Sequence, residues 1–102
     1  MDSLTALADP TRRRILESLA NGALSSGEIA SRFPISAPAI SQHLKTLRGA
    51  RLVRVRVDAQ RRIYELDRRG LDEAADWIGD IRRSWAGRLD ALEAQLRKDT
   101  EA

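Results

Sequence analysis

The 102-residue chain contains no cysteine, which excludes a disulfide framework, a thiolate metal site and thiol redox chemistry. Histidine occurs once, as His43, and aromatic side chains are confined to Phe33, Tyr64, Trp77 and Trp85. A lone histidine is not a metal centre. A Ser41–His43 catalytic pair is disfavoured as well, because residues two apart on a helix point in different directions and no oriented base or oxyanion site accompanies them. No apolar run approaches the ~18 residues that suggest a membrane span, and no basic segment followed by an apolar one opens the chain. The expectation is a cytoplasmic, non-catalytic protein that makes no use of a membrane and carries no cofactor.

What is present suffices for one domain over residues 1–102, with 42% apolar residues to fill a single small core. The net charge of +3 is unevenly spread: residues 51–70 hold seven basic and three acidic side chains, whereas residues 71–102 hold five and eight. Sixteen of the eighteen bases are arginine, whose planar fork matches phosphate and guanine edges. A GC-rich genome also enriches arginine, but does not cluster it. A short basic segment beside a nearly neutral body has the character of a phosphate-contacting arm.

Along the chain, Ser3 to Leu7 suit a short helix, and Asp9 caps a second one with Pro10 at its first position, where a missing N–H costs nothing. Ile15, Leu16 and Leu19 follow helical spacing, Arg12, Arg13 and Arg14 are expected mostly in solvent, and Asn21-Gly22 ends the helix in a left-handed turn. Ser25-Ser26-Gly27-Glu28 has the spacing of a capping box, so a brief helix begins there and stops before Phe33-Pro34. Ser36 caps the next helix, Pro38 sits in its first turn, and Ile40, Leu44 and Leu47 form its buried stripe. Two short helices joined by a tight turn, over about residues 25–49, make a helix-turn-helix candidate.

After Leu52 the hydrophobic period drops to two. Val53, Val55 and Val57 alternate with Arg54 and Arg56, Asp58-Ala59-Gln60-Arg61 turns the chain, and Ile63-Tyr64-Glu65-Leu66 returns, giving a basic hairpin over about 53–66. A long helix over about 70–98 follows, with Leu71, Ala74, Ile78, Ile81, Trp85, Leu89, Leu92 and Leu96 on one seam. One extra step of four makes that seam drift like an 11-residue repeat. The fold class read from this order is mostly α with a small β-hairpin.

The segments LADPTRRRILESL, LSSGEIASRF, ISAPAISQHLKTLR and LVRVRVDAQRRIYEL, in that order and followed by a long helix, resemble the ArsR family of bacterial winged helix-turn-helix transcriptional repressors. The resemblance covers essentially the whole chain. It implies a homodimer on double-stranded DNA, with the helix from Ser36 as the DNA-reading helix, the hairpin as the wing, and the terminal helices as the dimer interface. Three features depart from the family pattern. Where members that sense soft metals carry a cysteine pair, this chain has Ser25 and Gly27. Where zinc-type sensors use histidine on the last helix, it offers Asp72, Glu73, Asp76 and Asp80, a poor transition-metal set better read as a solvated face. Arg51 stands where a glycine usually follows the reading helix, so either the helix ends earlier, at Gly49, or Arg51 turns left-handed. Without metal ligands, release from DNA is left to a small-molecule effector, a partner protein or a change in protein level.

On a helical wheel, Pro38, Ser41, Gln42 and Lys45 centre the face opposite the buried stripe, with Ser36 at its start and Ala37 and Thr46 on its flanks. Glutamine pairs with adenine, lysine with guanine, serine with several partners, and alanine or proline carbons meet a thymine methyl. His43 falls about 60° from the buried stripe and suits a phosphate at the groove edge or a partly buried hydrogen bond. Arg56, Arg61 and Arg62 near the hairpin tip are placed for phosphates or a narrow minor groove, and Tyr64 is read as packing. The seam with Trp77 and Trp85 is too long for a body of some 65 residues to cover, so a second copy is expected over Leu4, Leu7, Leu71, Ala74, Ile78, Ile81, Trp85, Leu89 and Leu92. A two-fold dimer then implies a palindromic operator with half-sites about 34 Å apart. The rival reading is a protein-interaction module whose long helix binds a different chain; steep salt dependence separates DNA binding from it.

Overall fold

A computed structural model describes residues 2–101. In chain order the elements are α1 (Asp2–Leu7), α2 (Pro10–Leu19), β1 (Leu24–Ser25), α3 (Ser26–Ala30), α4 (Ala37–Gly49), β2 (Val53–Asp58), β3 (Arg61–Leu66) and α5 (Arg68–Glu101). The starts of α2, α3 and α4 match their sequence signals. Asp9 accepts the Arg12 N–H with Pro10 in the first turn, Ser25 and Glu28 close a reciprocal capping box, and the Ser36 hydroxyl accepts the Ala39 N–H at 3.2 Å.

The expected hairpin forms, with Val53 opposite Leu66 and Asp58 opposite Arg61. It is joined by a third strand that the sequence reading did not include. The two residues of β1 pair antiparallel with β3, placing Leu24 opposite Tyr64 and Ser25 opposite Ile63, so the sheet order is β1-β3-β2. A strand of two residues has no measurable alternation, which is why periodicity missed it. Its position matters, since Ser25 both ends β1 and caps α3, tying the wing to the start of the helix-turn-helix.

Ile15 and Leu19 from α2, Ile29 from α3, Ile40, Leu44 and Leu47 from α4, and Leu52, Val53 and Tyr64 from the wing form one core. Each fully buried side chain of this size contributes roughly 1.5–3 kcal/mol relative to exposure. Tyr64 is buried there, as its packing role required. The end of α4 resolves the question of Arg51. The helix stops at Gly49, the Arg51 N–H bonds the Arg48 carbonyl, the Leu52 N–H bonds the Leu47 carbonyl, and Arg51 itself takes φ 59°. This is a Schellman termination, with arginine in the left-handed position that glycine normally fills. The Gly70 N–H then donates to the Arg51 carbonyl at 2.8 Å, so α5 is anchored on that same turn.

The last helix begins at Arg68, earlier than its apolar period indicated, because Asp67 caps it: its carboxylate accepts the Arg69 N–H at 3.0 Å and the Arg69 guanidinium at 2.7 Å. The start of α5 packs on α1, while from Asp80 through Thr100 every residue is exposed. The molecule is accordingly elongated, at 74 × 25 × 23 Å. Among the described residues no helix is long and apolar enough to cross a membrane.

Candidate nucleic-acid interface

The first turns of α4 project from the body. Ser36, Ala37, Pro38, Ser41, Gln42 and Lys45 are all exposed, and the Ile40–Leu44–Leu47 stripe behind them is completely buried. The helix is held on three sides, by α2 and α3 through that stripe and by α1 and β2 near its end. A rigid helix presenting a short polar row with no carboxylate is chemically suited to a DNA groove.

The two flanks of α4 are used differently. Thr46 is half-buried, and its hydroxyl donates to the Gln42 carbonyl at 3.2 Å. His43 is also half-buried, with its Nδ1 3.4 Å from an Arg12 guanidinium nitrogen. These two face α1 and α2 rather than open solvent. The expectation of a mostly solvated side chain is corrected for Arg12, which is half-buried, while Arg13 stays exposed and still makes a backbone bond. Arg12 Nε donates to the Ala6 carbonyl at 2.7 Å and Arg13 donates to the Leu7 carbonyl at 2.8 Å, so both close the otherwise unpaired carboxyl end of α1. Arg14 is exposed. Asp9 sits within this group and has its carboxyl held below the usual range, chiefly by the Arg12 N–H.

The opposite flank of α4 faces the wing across a cleft of about 400 Å³ lined by Ser26, Ser41, Lys45, Arg48 and Arg62, with Leu44 and Tyr64 beneath. Strand alternation sends the three wing arginines apart. Arg62, opposite Val57, shares the Tyr64 face toward α4, while Arg56 and Arg61 point from the other face. Arg61 is paired with Glu28 at 3.1 Å, and Arg54 with Glu65 at 2.8 Å. Glu28 lies below its ordinary pKa first because it accepts the Ser25 N–H and hydroxyl, and only then through Arg61. Arg48 and Ser26 were absent from the sequence-based site; the i, i+3 and i, i+7 spacing of Arg48 from Lys45 and Ser41 was the signal available for Arg48.

The seam on α5 divides in two. Ala74, expected at a dimer interface, is buried within the protomer at 3% exposure, and Leu7 and Leu71 pack against the protomer core. Leu4 is half-buried. Beyond them Trp77, Ile78, Ile81, Trp85, Leu89, Leu92 and Leu96 are all exposed, between 45% and 60%.

The family model for bacterial regulatory proteins of the arsR family matches residues 9–55, from the cap of α2 into the wing. The chain is 51% identical over 84 residues to the HTH-type transcriptional regulator Rv2034 of Mycobacterium tuberculosis, covering 82% of this chain and 76% of that protein. It is 38% identical over 73 residues to the transcriptional repressor SdpR of Bacillus subtilis, covering 72% and 81%. Among solved structures, an ArsR-like transcriptional regulator from Rhodococcus sp. RHA1 superposes with a TM-score of 0.78 at 31% identity, covering 89% of this chain and 86% of that one. A winged helix-turn-helix with an exposed polar row on α4, together with this kinship, leads to one conclusion: the chain belongs to the ArsR family and is a DNA-binding transcriptional regulator.

Proposed function

We propose that the protein is a homodimeric repressor that occupies a palindromic operator, with the start of α4 in the major groove and the wing on the flanking backbone. The single observation that carries the base-reading part is the exposed row Pro38, Ser41, Gln42 and Lys45 set on a fully buried stripe. Gln42 and Pro38 lie at its centre, and Ser36, Ala37 and Lys45 border it. His43 and Thr46 then act on DNA indirectly, by fixing α4 against α1 and α2. Arg56 is exposed on the outer face of the wing and supplies a backbone contact.

The exposed seam from Trp77 to Leu96 supports self-association. Most of a helix's stability in a protein comes from packing of its apolar face, and a contiguous apolar face of this size on a lone protomer marks an interface. Pairing two such faces about a two-fold axis sets two copies of α4 toward one side, as a palindrome requires. The absence of cysteine supports an effector other than a thiolate-bound metal.

Sedimentation of the protein with a fluorescent duplex tests the stoichiometry. Two protomers per duplex, and a dimer without DNA, are expected. A monomer that binds DNA one to one contradicts the proposal.

A further inference from the structure

The cleft between α4 and β3 gathers three cations, Lys45, Arg48 and Arg62, and no carboxylate lines it. Among the described residues none of the three forms an ion pair, as is also true of Arg56 on the outer face of the wing, whereas Arg54 is paired with Glu65 and Arg61 with Glu28. Three like charges around one hollow repel one another, and repulsion of this kind is relieved by an anion. The position of Arg48 in the last turn of α4 favours a cation through the helix dipole, which accounts for that residue alone and not for Lys45 or Arg62. Ser26 and Ser41 add two hydroxyls capable of donating to the same anion, and the apolar floor of Leu44 and Tyr64 lowers the local dielectric.

We propose that this cleft is the seat of one backbone phosphate of the bound duplex. Arg48, Arg62 and Lys45 are its charged ligands, and Ser26 and Ser41 its hydroxyl ligands. This inference rests on the chain being a DNA-binding regulator and adds a role that the reading row alone does not give. Lys45 and Ser41 stand on the border between base row and cleft and serve both. The seat fixes the depth and tilt at which Gln42 and Pro38 enter the groove. The wing therefore positions the reading helix by gripping the same strand from the other side, through Arg62.

The test is the salt dependence of duplex binding, measured by fluorescence anisotropy for the full chain and for Arg48→Gln, Arg62→Gln and their double variant. Loss of one phosphate contact lowers the slope of log affinity against log salt by about 0.9. Across a four-fold rise in salt the double variant is thus expected to lose about 3.5-fold less affinity than the parent, with its base preference unchanged. Arg54→Gln, which removes an arginine already paired with Glu65, serves as the control and leaves the slope alone. If the parent binds a duplex and the double variant keeps both its affinity and its slope, the phosphate seat is overturned while the DNA reading stands. If the parent binds no duplex at any salt, both fall together.

Discussion

Arg12 of α2 reaches across to His43 of α4, its guanidinium nitrogen 3.4 Å from the imidazole Nδ1. A guanidinium carries donors only, so this contact requires Nδ1 as the acceptor and puts the imidazole proton on Nε2. The same arginine holds the Ala6 carbonyl, so one side chain ties the end of α1 to the flank of α4. Replacing it with methionine keeps much of the stem packing and removes both contacts. The expected cost is about 1–2 kcal/mol of stability, with the long-range 15N NMR spectrum of His43 moving from a single Nε2-protonated form to a tautomer mixture. An unchanged spectrum in Arg12→Met counts against the contact.

The turn after α4 makes two opposite predictions about glycine. Arg51 holds φ 59°, a conformation that costs an L-residue about 1–2 kcal/mol, and part of that is offset because glycine has more freedom to lose on folding. Arg51→Gly is therefore expected to stabilise by somewhat under about 1 kcal/mol in urea unfolding. Gly70 is the reverse case. A Cβ there would lie 2.5 Å from the Arg51 carbonyl oxygen and 2.6 Å from that of Ala50, so Gly70→Ala displaces α5 from its anchor and lowers the unfolding midpoint. Tolerance of alanine at position 70 contradicts this packing.

Acid should weaken the join between wing and α5. Asp67 is buried, and the Arg69 guanidinium, followed by the Arg69 N–H, lowers its carboxyl from 3.8 to about 2. Its folded value lies below its unfolded one, so the stabilisation is present above pH ~4 and is lost as pH falls through about 2. Because Arg69 is exposed, the contribution is of the order of 1–2 kcal/mol at most. Unfolding free energies of Asp67→Asn and the parent should converge as pH drops from 5 to 2. Parallel curves across that range exclude the linkage.

Charge on the far seam tests self-association without touching the core. Leu89 and Leu92 are exposed and remote from the body, so Leu89→Asp with Leu92→Asp leaves the fold of residues 2–78 intact. The expected outcome is a monomer in sedimentation velocity. Far-UV circular dichroism should lose roughly a turn-rich segment of helix, because a helix without a partner face frays. A dimer that survives both aspartates places the interface elsewhere.

Much of the architecture was legible because its signals are local. Asp9, Ser25 with Glu28, and Ser36 announce helix starts through side chains that bond their own backbone, and Val53 to Val57 announce a strand by alternation. The parts that escaped are relations between distant segments. Arg12 and His43 are 31 positions apart, Glu28 and Arg61 33, and nothing in either neighbourhood marks the partner. The outward row of α4 could be drawn on a wheel, but which flank meets the wing depends on where β3 packs. That packing divides Ser41 and Lys45 from Thr46 and His43. Ala74 was misplaced for a related reason: a seam of constant period does not reveal where its own domain stops covering it.

Selection of random duplexes by the purified protein, with the enriched sequences titrated at 50 and 200 mM salt, is the most direct test of DNA reading by α4. A palindrome bound by two protomers, losing about 10³-fold or more in affinity over that range for some six phosphate contacts, is the expected result. Gln42→Ala should then change the enriched bases and not the salt slope. Enrichment of no sequence, with weak residual binding, contradicts the reading and directs attention to the exposed face of α5.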